Sequence, residues 1–220
     1  MMLSHYLFDT PMDFSEQKVH RMVLENSLSM GWMVGELSNQ IKGLNGRFYL
    51  SESGRELDMR KKVELIVDPF SLDHNSKEIV SGLHKCISSR LESGDDYLSF
   101  REVVSDLLRV LEKVSTDVDS SVSLDDPSSQ SLLKIASVGI MDPTDITESI
   151  SEYARLITSY SEKELVALVN VDLFMSDADY KECLKQIRYL QVPILFIETK
   201  AKDDGIPTKL FDADFCELNF

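Results

Sequence analysis

Four aspartates are concentrated in one serine-rich segment in the middle of the chain. Residues 115–130 read STDVDSSVSLDDPSSQ and include Asp117, Asp119, Asp125 and Asp126, with no basic residue. Carboxylate oxygens are preferred ligands of hard cations, so convergence of these side chains would create a calcium site. Their spacing is not that of an EF-hand loop, and a segment of this composition is also typical of a linker. The residues by themselves favour the linker, with the calcium site as the alternative.

A basic cluster is the second candidate site. Residues 55–62 read RELDMRKK, in which four basic residues outnumber two acidic ones. Clustered Lys and Arg side chains bind nucleic-acid phosphates because they displace condensed counterions. A charge cluster beside a strand equally well protects a sheet edge from aggregation, and the residues leave both interpretations open. The DNA-binding candidates are Arg47, Arg55, Arg60, Lys61 and Lys62.

Nucleotide hydrolysis is a third possibility, raised by the polar residues Asn170 and Asp172. They follow an apolar run at the point where an NTPase places its Walker-B acid. The junction between the early strands and the first helix, however, reads LENSLSMGWMVGEL, which contains neither G-x-x-x-x-G-K-[ST] nor G-x-G-x-x-G. Without such a loop the backbone amides cannot wrap phosphates, and the sequence does not predict an NTPase.

The charge distribution bears on the choice of partner. The 220-residue chain has a net charge of −15, which by itself opposes a polyanionic ligand. Most of the excess lies between Asp95 and Glu152, where thirteen acidic residues face four basic ones. No run approaches the roughly 18 apolar residues of a membrane span, and the amino terminus lacks a secretory signal pattern. We therefore expect a cytoplasmic protein with no membrane partner.

Two apolar runs predict the sheet on which the rest of the chain is organised. Leu165–Val171 and Ile194–Ile197 are typical of strands that are covered on both faces, as in a parallel sheet. Ser176 and Asp179 form a capping box for the helix between them. The three elements predict a right-handed β-α-β unit.

Helices dominate the middle of the chain. Apolar residues at helical spacing predict one helix capped by Asn75 and a second opened by Ser99, with a turn between them. The second helix has an apolar stripe wide enough to contact more than one neighbour. Asp126 and Asp142, each followed by proline, predict two further helix starts. The expected architecture is an α/β body with a helical hairpin inserted.

Several phrases of the sequence, in this order, resemble the Csn-two family, the small ring-forming adaptation proteins of type II-A CRISPR systems. Family members open with a strand, an acidic-Pro turn and a strand, as in YLFDTPMDF at Tyr6–Phe14. After a long helical insertion they continue with an apolar strand ending in Asn, an acid-capped helix and a strand ending in Glu. These are matched by LVALVNV, SDADYKECLKQIRYL and PILFIET, and DADFCELNF matches the aromatic-rich terminal strand.

The resemblance implies a fold and a function together. It implies an α/β head of residues 1–73 and 141–220, with a parallel-rich sheet that is nucleotide-fold-like but lacks a phosphate loop, and a helical leg of residues 74–140. It implies a non-catalytic homotetrameric ring that threads double-stranded DNA by its ends, independently of sequence, during spacer acquisition. Other adaptation proteins and the type II effector nuclease are the implied partners.

The resemblance also changes the interpretation of the acidic segment. Family members bind Ca²⁺ through acidic residues, and Asp119, Asp125 and Asp126 fall at that position, which reverses the preference for a linker. Two other classes of function remain as alternatives: a degenerate NTPase or a metal-dependent nuclease that uses Asp172 and the aspartate cluster, and an interaction scaffold that binds no DNA. A two-metal nuclease needs carboxylates on rigid elements, which a serine-rich segment does not provide.

Overall fold

The computed structural model describes residues 1–117 and 123–218. The chain forms two compact units, and each has its own set of contacts. The first, called here the α/β unit, consists of residues 1–74 and 142–220. The second, the helical unit, consists of residues 75–141.

Ten strands and seven α-helices are numbered here in chain order. The strands are β1 (Met2–His5), β2 (Met12–Asp13), β3 (Val19–Leu24), β4 (Phe48–Glu52), β5 (Arg55–Glu56), β6 (Val63–Ile66), β7 (Leu165–Val169), β8 (Ile194–Glu198), β9 (Thr208–Phe211) and β10 (Glu217–Leu218). The helices are α1 (Ser27–Ile41), α2 (Met59–Lys62), α3 (Lys77–Ser93), α4 (Tyr97–Ser115), α5 (Ser129–Ile135), α6 (Ile146–Tyr160) and α7 (Asp177–Leu190). A 3-10 turn, Val171–Phe174, follows β7.

The α/β unit is built on a six-stranded sheet with the order β10-β9-β3-β8-β7-β6. The five strands from β9 to β6 are parallel, and β10 pairs antiparallel to β9 at the edge. Every residue of β3, β7 and β8 is buried, because helices cover both faces of the sheet. The prediction of an α/β fold with a parallel-rich sheet is confirmed.

Alternation along the strands divides the core between the two faces. On one face, Leu195 and Ile197 of β8 join a cluster with Met33 and Leu37 of α1. On the opposite face, Phe196 contacts the ring of Tyr180 in α7, with 6.0 Å between the ring centroids. The Ser176 hydroxyl accepts a hydrogen bond from the Asp179 amide at the start of α7, as the capping box predicts.

A second, antiparallel sheet has the order β2-β1-β4-β5. The family resemblance places the first strand at the start of Tyr6–Phe14, but the strand lies at Met2–His5, so that prediction was wrong in position. The Phe8 amide donates to the His5 carbonyl and closes a turn, while residues 2–5 pair with β4 along their whole length. Two-sided pairing with β2 and β4 fixes the register, which the apolar pattern of Tyr6–Phe8 does not reveal.

The helical unit contains α3, α4 and α5. A Cβ at Gly94 would clash with the carbonyl oxygen of Arg90, so the turn between α3 and α4 requires glycine. The buried His84 of α3 bonds through Nε2 to the Val138 carbonyl at 2.7 Å, which ties α3 to the segment that follows α5.

Four predicted helix starts are wrong by one to three residues. Asn75 does not cap α3; its amide donates to the Ile140 carbonyl and accepts from the Ile140 amide. The helix expected at Ser99 begins at Tyr97. Ser128 caps α5 instead of Asp126, and Asp145 caps α6 instead of Asp142. In α5 and α6, the side-chain oxygen of Ser128 or Asp145 lies nearer to the first turn and accepts a hydrogen bond from a backbone amide of that turn.

The apolar stripe of α4 is exposed on the isolated chain. Only Val104 of this helix is buried. The exposed apolar residues are Tyr97, Leu98, Val103, Leu107, Val110, Leu111 and Val114. None of the helices in residues 1–117 and 123–218 is both long and apolar enough to cross a membrane.

Candidate nucleic-acid interface

The predicted basic cluster is centred on the short helix α2. This helix carries Arg60, Lys61 and Lys62 on consecutive positions, directly before β6. It begins at Met59 because the Asp58 side chain accepts a hydrogen bond from the Arg60 amide and caps the first turn. Arg60 is neutralised in the same place: its Nε and Nη2 atoms donate to the two Asp58 oxygens at 3.1 and 2.7 Å. The hydrogen bonds to Arg60 lower the pKa of the Asp58 carboxyl.

Lys62 is also occupied, whereas Lys61 is nearly free. The Lys62 ammonium donates to Oε1 of Glu164, the residue before β7. Lys61 lies 3.9 Å from Glu162, and both side chains are more than 60% exposed. A pair at this distance and exposure adds little free energy, so the Lys61 ammonium remains available to a ligand.

Arg55 lies in strand β5 of the small antiparallel sheet, and Arg47 directly precedes the neighbouring strand β4. Arg55 is in the edge strand β5, is exposed, and its side chain has no ion-pair partner among the described residues. The Arg47 guanidinium lies over the Tyr6 ring, 4.7 Å from its centroid. The five predicted residues therefore fall into two groups: Arg47, Arg55 and Lys61 can meet an anion, while Arg60 and Lys62 are paired with carboxylates.

The predicted calcium ligands lie at the end of α4 and before α5. Asp117, Asp125 and Asp126 are exposed, and Asp119 lies outside the described residues. Asp126 accepts a hydrogen bond from Arg101 at 3.3 Å. Among residues 1–117 and 123–218, no group of three or more His, Cys, Asp or Glu side chains could hold a metal ion. The calcium site stays a prediction.

A buried ionic network in the main sheet escaped the sequence analysis. Arg21 of β3 is fully buried, and its Nε donates to Glu198 of β8 at 2.8 Å. Its Nη2 donates to the Tyr180 hydroxyl at 3.0 Å, and its guanidinium also bonds both oxygens of Asp204. A charged residue, Arg21, in the largely apolar run VHRMVL was the available signal, because a buried charge needs a partner.

Lys202 extends this network to the end of β7. Its ammonium lies 2.7 Å from Asp172, 3.0 Å from Glu198 and 4.2 Å from the centroid of the Tyr180 ring. Burial and the negative charge of Glu198 raise the pKa of the Tyr180 hydroxyl. Burial raises the pKa of Asp204, but the hydrogen bonds and charge of Arg21 outweigh it and lower the pKa below its usual value. The Walker-B-like Asp172 is thus the partner of an internal cation.

Comparisons with known proteins agree with the family suggested by the sequence. A sequence profile described as CRISPR-associated protein (Cas_Csn2) matches residues 40–215. A search of curated protein sequences gave no significant match. Among solved structures, the chain is similar to a putative ABC transporter (ATP-binding protein) from Pyrococcus furiosus, with 12% identity, a TM-score of 0.47, and coverage of 99% of this chain and 100% of the other.

Proposed function

The chain belongs to the Cas_Csn2 family of CRISPR-associated proteins, and on that premise we propose that it binds double-stranded DNA through its phosphates, without cleaving it, during spacer acquisition. The proposal includes entry of the DNA by its ends into a homotetrameric ring in the cytoplasm. Other adaptation proteins and the type II effector nuclease are its proposed partners.

The observation that carries DNA binding is the availability of Arg47, Arg55 and Lys61. These three cations lie within the part of the chain that the family profile matches, and none of them has a side-chain ion pair shorter than 3.9 Å among the described residues. A ring repeats the same cations in every subunit, so a modest number per chain can surround a duplex. Contacts of this kind hold the phosphate backbone and do not select a sequence.

The absence of catalysis is proposed on the state of the carboxylates in the main sheet. A nuclease or NTPase needs Asp172 free to bind a metal ion. In this chain, Lys202 supplies a positive charge within hydrogen-bond distance of both Asp172 and Glu198. These carboxylates thus serve to fix the loop after β8. The function that we propose for the protein is therefore DNA binding without cleavage.

Calcium is proposed as the ion that compensates the acidic segment. Asp125 and Asp126 are exposed and adjacent in the chain, and the exposed ion pair of Asp126 with Arg101 is weak enough to be displaced. Bound divalent cations are often the largest local charges in a site. Their binding would reduce the repulsion between an acidic protein and DNA.

Self-association is proposed on the exposed apolar face of α4. This face presents Val103, Leu107, Val110 and Val114 to solvent. Their consecutive spacings of four, three and four residues place them on one side of the helix. An apolar stripe of this length is covered in most stable proteins. A second copy of the chain is the proposed partner.

A gel shift with linear and closed circular forms of one duplex, each with and without calcium, tests the function. Threading by ends predicts that the linear form shifts in calcium and that the closed circle does not. Equal binding of the closed circle would contradict threading while leaving DNA binding in place. If neither form shifts at low salt, the DNA function is wrong and an interaction scaffold is the remaining interpretation.

A further inference from the structure

A groove in the α/β unit lies directly beside Arg47. It has a volume of about 530 Å³ and is lined by Gly31, Trp32, Gly35, Glu36, Asn39, Asn45, Gly46 and Arg47. All but the last three belong to α1, so the helix forms its floor. We propose that this groove binds a single unpaired nucleobase, with a preference for guanine.

Two glycines, Gly31 and Gly35, lie one turn apart on α1 in the floor of the groove. A Cβ added at Gly31 or Gly35 would meet no atom within 4 Å, so both positions face open space. Glycine in the interior of a helix costs about 1 kcal/mol relative to alanine. No packing contact explains that cost here, whereas close approach of a planar ligand to the helix does.

Trp32 supplies an aromatic surface at the side of the groove. The residue is 39% exposed. The rest of the ring is held by edge-on contacts with Phe215 at 5.0 Å and with His5 at 5.9 Å. A fixed, partly exposed indole is a stacking partner for a nucleobase of any sequence.

Glu36 supplies the hydrogen-bond acceptors at the base of the groove. Its side chain is only 12% exposed. Oε1 accepts one hydrogen bond, from the Arg47 amide at 2.6 Å, and Oε2 makes no hydrogen bond with the described residues, although His5 Nε2 lies 3.7 Å from it. A carboxylate can accept about four hydrogen bonds, so most of its capacity is unused.

His5 is poised behind this carboxylate. The imidazole is buried, and its Nδ1 accepts a hydrogen bond from the Leu7 amide at 3.4 Å, which leaves the proton on Nε2. Nε2 has no hydrogen-bond partner among the described residues and lies 3.7 Å from Glu36 Oε2. A buried N–H without a partner costs free energy. A small inward shift of Glu36 on ligand binding would satisfy it and fix the carboxylate.

The charges and polar groups select the class of ligand. One carboxylate, Glu36, and one guanidinium, Arg47, leave the groove without net charge, which favours a neutral ligand. The amides of Asn39 and Asn45 offer both donors and acceptors at the rim. Guanine is the base with two adjacent N–H donors on its pairing edge, and these match the two oxygens of Glu36. Arg47 can then meet the phosphate that is attached to the same nucleotide.

This inference rests on the proposed function, because an unpaired base at a DNA end is the natural occupant. Trp32 is the single tryptophan of the chain, so its fluorescence reports directly on the groove. The experiment titrates the protein with a blunt duplex, with the same duplex carrying one unpaired guanine or thymine at its 3′ end, and with free guanosine and thymidine monophosphates.

We expect the guanine-tailed duplex to quench Trp32 and to bind about tenfold more tightly than the blunt one, since stacking and a bidentate contact each contribute at this scale. The thymine tail should gain less. Glu36→Gln should reduce the ratio between the guanine-tailed and blunt duplexes several-fold, whereas the matched control Glu52→Gln, an exposed carboxylate at the end of β4, should keep it.

Gly35→Leu is a second variant that is expected to fold, because leucine favours the helix and its Cβ meets no atom. Its side chain fills the groove and should abolish quenching by any base. Equal binding of blunt and tailed duplexes without quenching would overturn the inference while leaving duplex binding intact. If no duplex binds, the monophosphates still decide: absence of quenching by guanosine monophosphate also overturns it.

Discussion

The Lys202 ammonium lies 2.7 Å from Oδ2 of Asp172, across the carboxyl ends of β8 and β7. The same ammonium is 3.0 Å from Glu198, whose carboxylate is fully buried. Lys202 therefore compensates Asp172 and shares Glu198 with Arg21 at the carboxyl ends of the strands, where open parallel α/β sheets bind ligands. These ion pairs stabilise the folded state by compensating the buried carboxylates at the carboxyl ends of the strands.

The first prediction concerns this lysine. Lys202→Met should lower the free energy of unfolding by about 2 kcal/mol, which is less than the 3–5 kcal/mol typical of a fully buried pair because Lys202 is 26% exposed. Urea unfolding followed by circular dichroism measures the change. Lys200→Met, at an exposed position two residues earlier, is the matched control and should change stability little. Equal stability of wild type and Lys202→Met would mean that the network is not needed for folding.

The second prediction concerns pH. Because Arg21 lowers the pKa of Asp204, this carboxylate stabilises the folded state at pH values above its unfolded pKa, about 3.9, and the contribution is lost as pH falls through the folded pKa. The stability difference between wild type and Asp204→Asn should be constant from about pH 7 to about pH 5 and should shrink below about pH 4. A difference that grew on acidification would contradict this assignment.

The third prediction separates the free cations from the paired ones. The double variant Arg55→Ala/Lys61→Ala should bind duplex DNA more weakly at all sequences and should flatten the dependence of affinity on salt, because fewer counterions are released. The matched control is Arg60→Ala/Lys62→Ala, which removes the same charge from residues already paired with Asp58 and Glu164. Equal effects of the two double variants would show that the carboxylate pairing does not decide which cations meet DNA.

The fourth prediction concerns the acidic segment. Without calcium, Asp125→Ala/Asp126→Ala should keep nearly the stability of the wild type, because Ser128 caps α5 and the Asp126–Arg101 pair is exposed. With calcium, the melting temperature should rise for the wild type and not for the variant. Asp203→Ala, an exposed aspartate of the α/β unit, is the control and should respond like the wild type. Equal calcium responses of wild type and double variant would remove these aspartates from the ion site.

The fifth prediction concerns assembly through α4. Val103→Lys/Val110→Lys places two charges on its exposed apolar face and should convert an oligomer to monomers in light scattering. Ser105→Lys adds charge to the same helix at an exposed position outside that face and should leave the oligomer intact. A wild type that is monomeric at micromolar concentration in calcium would contradict the proposed ring.

Local patterns were sufficient to predict the core of the α/β unit. Continuous apolar runs identify β7 and β8, and the capping box at Ser176 identifies the start of α7, because these features depend on neighbours in the chain. The family resemblance was readable for the same reason, since it rests on short phrases in a fixed order. The basic and acidic segments were likewise visible as composition.

Only the tertiary structure decides which charges remain available. Lys61 and Lys62 are adjacent in sequence, but Glu164, 102 positions away, pairs closely with Lys62, whereas Lys61 has only Glu162 at 3.9 Å. Arg21 and Asp204 are separated by 183 positions, and sheet order alone brings them together. The groove beside Trp32 likewise combines parts that are distant in sequence: helix α1, the turn at residues 45–47, and His5 of β1 behind the Trp32 ring. Electrostatic and hydrogen-bond partners depend on distance in space, and a sequence fixes that distance only through the completed fold.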